Sequence, residues 1–193
     1  MEKIKSAYEK ALERAEKITV SPEQLEAMEY APKGSQAASQ YMQDKSFTLE
    51  EEFKKYEAKI QKHLKAGAEE TFLSNIRLPE NEAAKENNKR AFEGILALKR
   101  DKKAVNQVFG EMEYLFDYYA KAINQNYQNL KANMNKRLAA AQQALEKQLG
   151  TKVKLEVEKQ PEFLQEWRKI QFQINAQYEN HLKEHKEKIR QIN

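Results

Sequence analysis

Leu98-Lys99-Arg100-Asp101-Lys102-Lys103-Ala104-Val105 is the stretch on which the fold turns. Apolar residues on both sides of it keep one helical phase, with Ala91, Ile95 and Leu98 before it and Val105, Phe109, Met112, Phe116, Tyr119 and Ile123 after it. Carried straight through, that phase buries Lys102 in the seam between Leu98 and Val105. A break at Lys99-Arg100-Asp101, with Asp101 capping a new helix, moves Lys102 to solvent, and this is the arrangement we expect. The alternative is one unbroken helix from Glu80 to Leu149, on the order of 100 Å long at ~1.5 Å per residue.

Downstream the period changes. Ile123, Met134 and Leu145 recur every eleven residues, as do Tyr127, Leu138 and Leu149, and Leu130 and Ala141. Such spacing favours a straight or slightly right-handed seam and demands a partner helix. Gly150 suits a helix C-cap. Lys152 to Glu158 then alternates strictly, with Val153, Leu155 and Val157 on one side, which is the pattern of an extended segment. Gln160-Pro161 opens a last helix whose apolar side carries Phe163, Trp167, Ile170, Ile174, Tyr178, Leu182, His185, Ile189 and Ile192. A short extended joint between two such helices makes them antiparallel neighbours, and it places Trp167 opposite Leu138 to Leu145.

Upstream, Ile4, Ala7, Tyr8, Ala11, Leu12, Ala15 and Ile18 form one helical stripe. Ser21-Pro22-Glu23-Gln24 reads as a capping box with proline at the first helical position, and the helix it opens is expected to end near Tyr30, ahead of Pro32 and Gly34. A short helix over Ser35 to Lys45 follows. Thr48 and Glu51 suggest a second capping box, before a helix carrying Leu49, Phe53, Tyr56, Ile60 and Leu64. Leu78-Pro79 closes this part.

The expectation is therefore an all-α protein: an elongated helical bundle with a long antiparallel C-terminal hairpin and one short extended segment at about 152–158. Residues 1–78 make an N-terminal region of shorter helices, and residues 79–193 make the hairpin.

Composition narrows the function. The 193 residues hold five glycines and four prolines, too few to punctuate many short strands. Lys and Arg number 34 against 30 Asp and Glu, so the net charge of +4 is a small remainder. The excess lies after Leu78, where 21 basic residues face 16 acidic ones. A weak basic excess spread along helices is a poor nucleic-acid footprint. The absence of cysteine removes disulfides, thiolate metal sites and cysteine nucleophiles. No stretch approaches the roughly 20 apolar residues of a membrane span, and Met1-Glu2-Lys3-Ile4-Lys5 lacks a signal-peptide core, so a cytoplasmic location is expected.

Few residues invite a chemical role. His181-Leu182-Lys183-Glu184-His185 matches the pattern of inverted zinc peptidases, but those need a further carboxylate well downstream, and only eight residues follow His185. A carboxylate-bridged di-iron bundle needs Glu-x-x-His, yet Ile60, Tyr178 and Leu182 stand three before the histidines. The glycines never cluster into a phosphate-cradling loop. No catalytic residue, metal ligand or cofactor site is expected.

Two surfaces remain. Tyr114 and Tyr118 fall outside the seam that takes Phe116 and Tyr119, and an exposed tyrosine pair suits partner docking. Lys99, Arg100, Lys102 and Lys103 form the one basic cluster, a candidate for phosphate contact, although Asp101 interrupts it and no aromatic residue interleaves it. The amide-rich tract Asn124-Gln125-Asn126-Tyr127-Gln128-Asn129 suits a helix lying between other helices.

Ile4-Lys5-Ser6-Ala7-Tyr8-Glu9-Lys10-Ala11-Leu12-Glu13-Arg14, together with Pro161-Glu162-Phe163, Tyr178 and the Lys/Glu-rich helix after it, resembles a family of uncharacterised bacterial proteins known only as a domain of unknown function. The resemblance implies a bacterial origin and a real fold. It brings no activity and no site residues. The expected role is that of a non-enzymatic, coiled-coil-like adaptor or scaffold acting through a protein partner or self-association. RNA or ribosome binding through the basic C-terminal half is the alternative.

Overall fold

The structure, a computed structural model, describes residues 21–150 and 156–193. The stripe expected over Ile4 to Ile18 and the alternating residues 152–155 lie outside them, as do the side chains of Ala141, Leu145 and Leu149. Among the described residues the regular structure is α1 (Pro22–Gln43), α2 (Leu49–Lys54), α3 (Ala58–Asn75), α4 (Glu82–Leu98), α5 (Lys102–Leu149), a 3-10 turn (Val157–Lys159) and α6 (Pro161–Gln191), with no strand. The protein is all-α. Its chain divides into two compact units, Met1–Phe72 and Leu73–Asn193.

In the first unit the Ser21 capping box forms as its sequence requires. The Gln24 N–H donates to Ser21 Oγ at 3.2 Å and the Ser21 N–H donates to Gln24 Oε1 at 2.9 Å. α1 does not stop near Tyr30, however, but runs through Pro32 and Gly34 to Gln43, absorbing the separate helix expected after Ser35. Proline inside a helix removes one N–H and costs about 3 kcal/mol. Packing against α3 offsets that cost. Gly34, Ala37 and Ala38 are buried, and a Cβ on Gly34 would lie 1.9 Å from the Leu64 carbonyl oxygen. The converse holds on α3, where a Cβ on Gly67 would lie 1.9 Å from the Ala31 carbonyl oxygen. Ser35 Oγ donates to the Gly67 carbonyl across this crossing at 3.0 Å. Gly34 looked like a helix breaker in the sequence; it is a notch that lets two backbones meet.

The helix expected after Thr48 divides in two. Thr48 makes no side-chain cap hydrogen bond, so the expected second capping box is absent. After Lys54 the chain takes a turn, with the Tyr56 N–H donating to the Phe53 carbonyl at 3.1 Å, and helix resumes at Ala58. The turn keeps Leu49, Phe53, Ile60 and Leu64 all buried. It also sets the Tyr56 ring edge-on to Tyr30, with centroids 6.1 Å apart.

The second unit is built on the break at Lys99 to Asp101. Asp101 Oδ1 accepts from the Ala104 N–H at 3.0 Å, and Lys102 is exposed. α4 and α5 thereby become a tight hairpin, with Phe92 stacked on Phe109 at 4.0 Å between centroids. The segment leading into α4 is fixed by Asn88, which is buried. Its amide accepts from the Arg77 N–H at 2.9 Å and donates to the Arg77 carbonyl at 2.7 Å.

α5 has 48 residues and is about 72 Å long at 1.5 Å per residue. It ends at Gly150, which adopts the left-handed conformation (φ 65°) that glycine tolerates best. α6 returns antiparallel along α5, so the hairpin closes within one chain. Contacts run in opposite directions along the two helices: Tyr127 meets Trp167, Tyr119 meets Tyr178, Glu111 meets His185, and the Asp101 N–H reaches the Asn193 carbonyl at 3.1 Å. Trp167 therefore stands against Tyr127, well before the expected Leu138 to Leu145, because α5 continues past the point where α6 begins. At that end Met134, Val157 and Phe163 are buried together, flanked by Tyr127, Leu130, Leu138 and Trp167. Val157 reaches this cluster from a 3-10 turn, not from the alternating extended segment its sequence suggested.

Candidate functional site

Burial of the apolar stripes decides what the hairpin leaves outside. Tyr119 is buried against Tyr178 with ring centroids 5.5 Å apart, and its hydroxyl donates to Asn175 Oδ1 at 3.0 Å. Desolvation raises the Tyr119 phenol above its ordinary pKa, as expected of a structural tyrosine. Tyr114 and Tyr118 project from α5 in other directions, 71% and 63% exposed. The Lys121 ammonium sits over the Tyr118 ring, 5.6 Å from its centroid. On α6 Phe172 is 76% exposed, off the apolar stripe of that helix.

The basic cluster is not a uniform patch. Lys99 turns inward and donates to the Ile192 carbonyl at 2.6 Å, tying the α4–α5 turn to the end of α6. Arg100, Lys102 and Lys103 remain exposed around the Asp101 cap. Three cations, not four, therefore face solvent at this turn.

The two histidines of the zinc-peptidase pattern serve different neighbours. His185 Nδ1 lies 3.3 Å from Glu111 Oε2 on the facing helix, and Lys188 donates to the same oxygen at 2.7 Å. The Lys188 hydrogen bond holds the Glu111 carboxyl below its usual range. Burial, reinforced by the Lys188 charge, pushes the His185 imidazole down. His181 is more exposed and lies 3.5 Å from Glu184 of its own helix. Among the described residues no three His, Asp or Glu side chains gather as a metal site would require.

A second polar knot holds the 3-10 turn. Glu158 Oε1 accepts from the Tyr127 hydroxyl at 2.6 Å and from Lys131 at 2.8 Å. Those two hydrogen bonds lower the Glu158 pKa, and the bond to Glu158 raises that of Tyr127. Neither knot was foreseeable from sequence, because each pairs residues whose proximity depends on the register of the hairpin.

A family of unknown function (DUF6657) matches residues 50–191, nearly three quarters of the chain. The chain belongs to that family. The match takes in all of α3 to α6, including Pro161-Glu162-Phe163 and Tyr178, but not the opening Ile4 to Arg14. No curated protein and no solved structure matches the chain. The DUF6657 region contains both polar knots, the exposed tyrosines and the basic turn, and the family brings no activity to any of them.

Proposed function

We propose that the protein is a non-enzymatic adaptor or scaffold, working in a bacterial cytoplasm through protein–protein contacts made by its C-terminal hairpin in the manner of a coiled coil. The observation that carries this reading is the contrast along α5. Tyr119 is fully packed, while Tyr114 and Tyr118, one helical turn apart, are left largely in solvent. Aromatic side chains supply most of the energy of protein interfaces at a low entropy cost, and monomeric surfaces gain nothing from exposing them in pairs. A 48-residue helix braced by α6 also offers a rigid, pre-organised face. The test is cross-linking in the native host followed by mass spectrometry, using the wild type and a Tyr114→Ala/Tyr118→Ala variant whose helicity is unchanged. One partner captured by the wild type and lost from the variant supports the reading. Identical capture by both overturns the assignment to this face.

RNA or ribosome binding is the second reading, favoured by the exposure of Arg100, Lys102 and Lys103 at one turn. It predicts that replacing Lys99, Arg100, Lys102 and Lys103 by Gln weakens RNA binding sharply and flattens its salt dependence, by about one unit of log–log slope for each phosphate left without its cation. An adaptor is indifferent to loss of the three exposed cations, while Lys99 also ties the turn to the end of α6.

A further inference from the structure

Beyond the Phe92–Phe109 stack a cleft of about 500 Å³ opens between α4 and α5. Its apolar lining comes from Phe92, Phe116 and Pro79. Its charged lining is divided by sign: α4 contributes Lys85 and Lys89, and α5 contributes Glu113 and Asp117, one turn apart. The ion pair that Lys85 makes is with Glu82 on its own helix, at 2.6 Å, and not across the cleft. The site is preformed. Pro79 belongs to the segment that Asn88 holds through both backbone groups of Arg77, and Asn87 donates to the Asn75 carbonyl at 2.9 Å.

These features specify a ligand with an apolar body, a cation at one end and an anion at the other. Packed helices lie about 8–10 Å axis to axis, which sets the order of the span a ligand bridging both helices has to cover. The ammonium and carboxylate of a single amino acid are too close together to serve both. An extended chain covers about 3.3–3.6 Å per residue, which makes two or three residues the length that reaches from rim to rim. We propose that the α4–α5 cleft binds a short peptide of two or three residues with apolar side chains and free ends. Its amino terminus lies at Glu113 and Asp117, its carboxylate at Lys89 and Lys85, and its side chains rest on Phe92 and Phe116. The volume matches that of small-ligand sites, which combine apolar walls with a few placed polar groups.

The proposal is independent of the exposed tyrosines and is tested by isothermal titration and NMR with leucyl-phenylalanine and leucyl-alanyl-phenylalanine. N-acetylated and C-amidated forms of each serve as probes of the two ends. Acetylation, or the Glu113→Gln/Asp117→Asn variant, is expected to weaken binding about tenfold, the loss of one charge-assisted hydrogen bond, and the two changes together should cost little more than either alone. Amidation and the Lys85→Gln/Lys89→Gln variant should behave as a second such pair. All four side chains are exposed, so the variants retain the fold. Absence of binding at millimolar peptide, or equal binding of free and blocked peptides, overturns the proposal.

Discussion

Gly34 of α1 and Leu64 of α3 meet backbone to backbone, leaving no room for even a methyl group on the glycine, and Gly67 meets Ala31 in the same way. Gly34→Ala must push two main chains apart, so a loss of about 1–3 kcal/mol is expected, measured by chemical denaturation. Gly110 supplies the contrast. It lies within α5, and a methyl group there would find nothing within 4 Å, so Gly110→Ala should stabilise by up to about 1 kcal/mol through helix propensity alone. Equal effects at the two positions would contradict the close crossing.

The Glu111–His185–Lys188 knot makes hairpin stability depend on pH. Burial lowers the His185 pKa below its ordinary 6.5, so the unfolded chain takes up this proton more readily than the folded one. Stability is therefore lost as pH falls through the unfolded value, and the penalty is complete below the folded one. Glu111, whose carboxyl is lowered by Lys188, adds stability that is present above its ordinary 4.5 and lost as pH falls through its lower folded value. Denaturation midpoints at pH 7.5 and 5.5 should differ in the wild type and differ less in His185→Gln. A pH dependence unchanged by that substitution would show that other groups carry it.

Phe163 is almost fully buried beside Met134 and Val157. Phe163→Ala is expected to cost about 3–5 kcal/mol. Trp167, the single tryptophan, packs edge-on against Tyr127 at 5.1 Å between centroids, so its emission should shift to the red in the same variant. A red shift without loss of stability would mean that this end of the hairpin opens separately.

Asn88→Asp tests the clamp on Arg77. The substitution keeps shape and the acceptor for the Arg77 N–H but removes the donor for the Arg77 carbonyl, and it places a carboxylate where the side chain is buried. An unsatisfied buried group costs about 1–3 kcal/mol, more when charged. The loss should shrink at low pH, where the aspartate is protonated and donates again; a loss independent of pH would point to packing instead.

Legibility followed the range of the forces involved. Asp101, Gly150, Ser21 and Pro161 act on their own helix ends, and each marks the boundary its sequence suggested. The seam residues of α6 were equally plain, because a 3.6-residue period is local. Pro32 misled because its cost is local while the compensating contact, Gly34 on Leu64, spans thirty residues. The small residues at Gly34, Ala38 and Gly67 were the available signal for that crossing. The position of Trp167 and the pairing of His185 with Glu111 depended on the register between α5 and α6, which is set by contacts between residues far apart in sequence, such as Glu158 with Tyr127 and Phe163 with Met134. The exposure of Tyr114 and Tyr118 followed directly from the phase of α5, whereas the α4–α5 cleft is lined jointly by both helices and Pro79 and leaves no trace in either helix alone.

The antiparallel return of α6 also orders events in time. During synthesis Tyr119, Tyr127 and Met134 emerge before Tyr178, Trp167 and Phe163, the side chains that cover them. At about 5–20 residues per second, the 31 residues of α6 alone take roughly 2–6 s to make. Through that interval the ribosome carries a long helix with an uncovered apolar stripe, a surface that invites holding chaperones and neighbouring nascent chains alike.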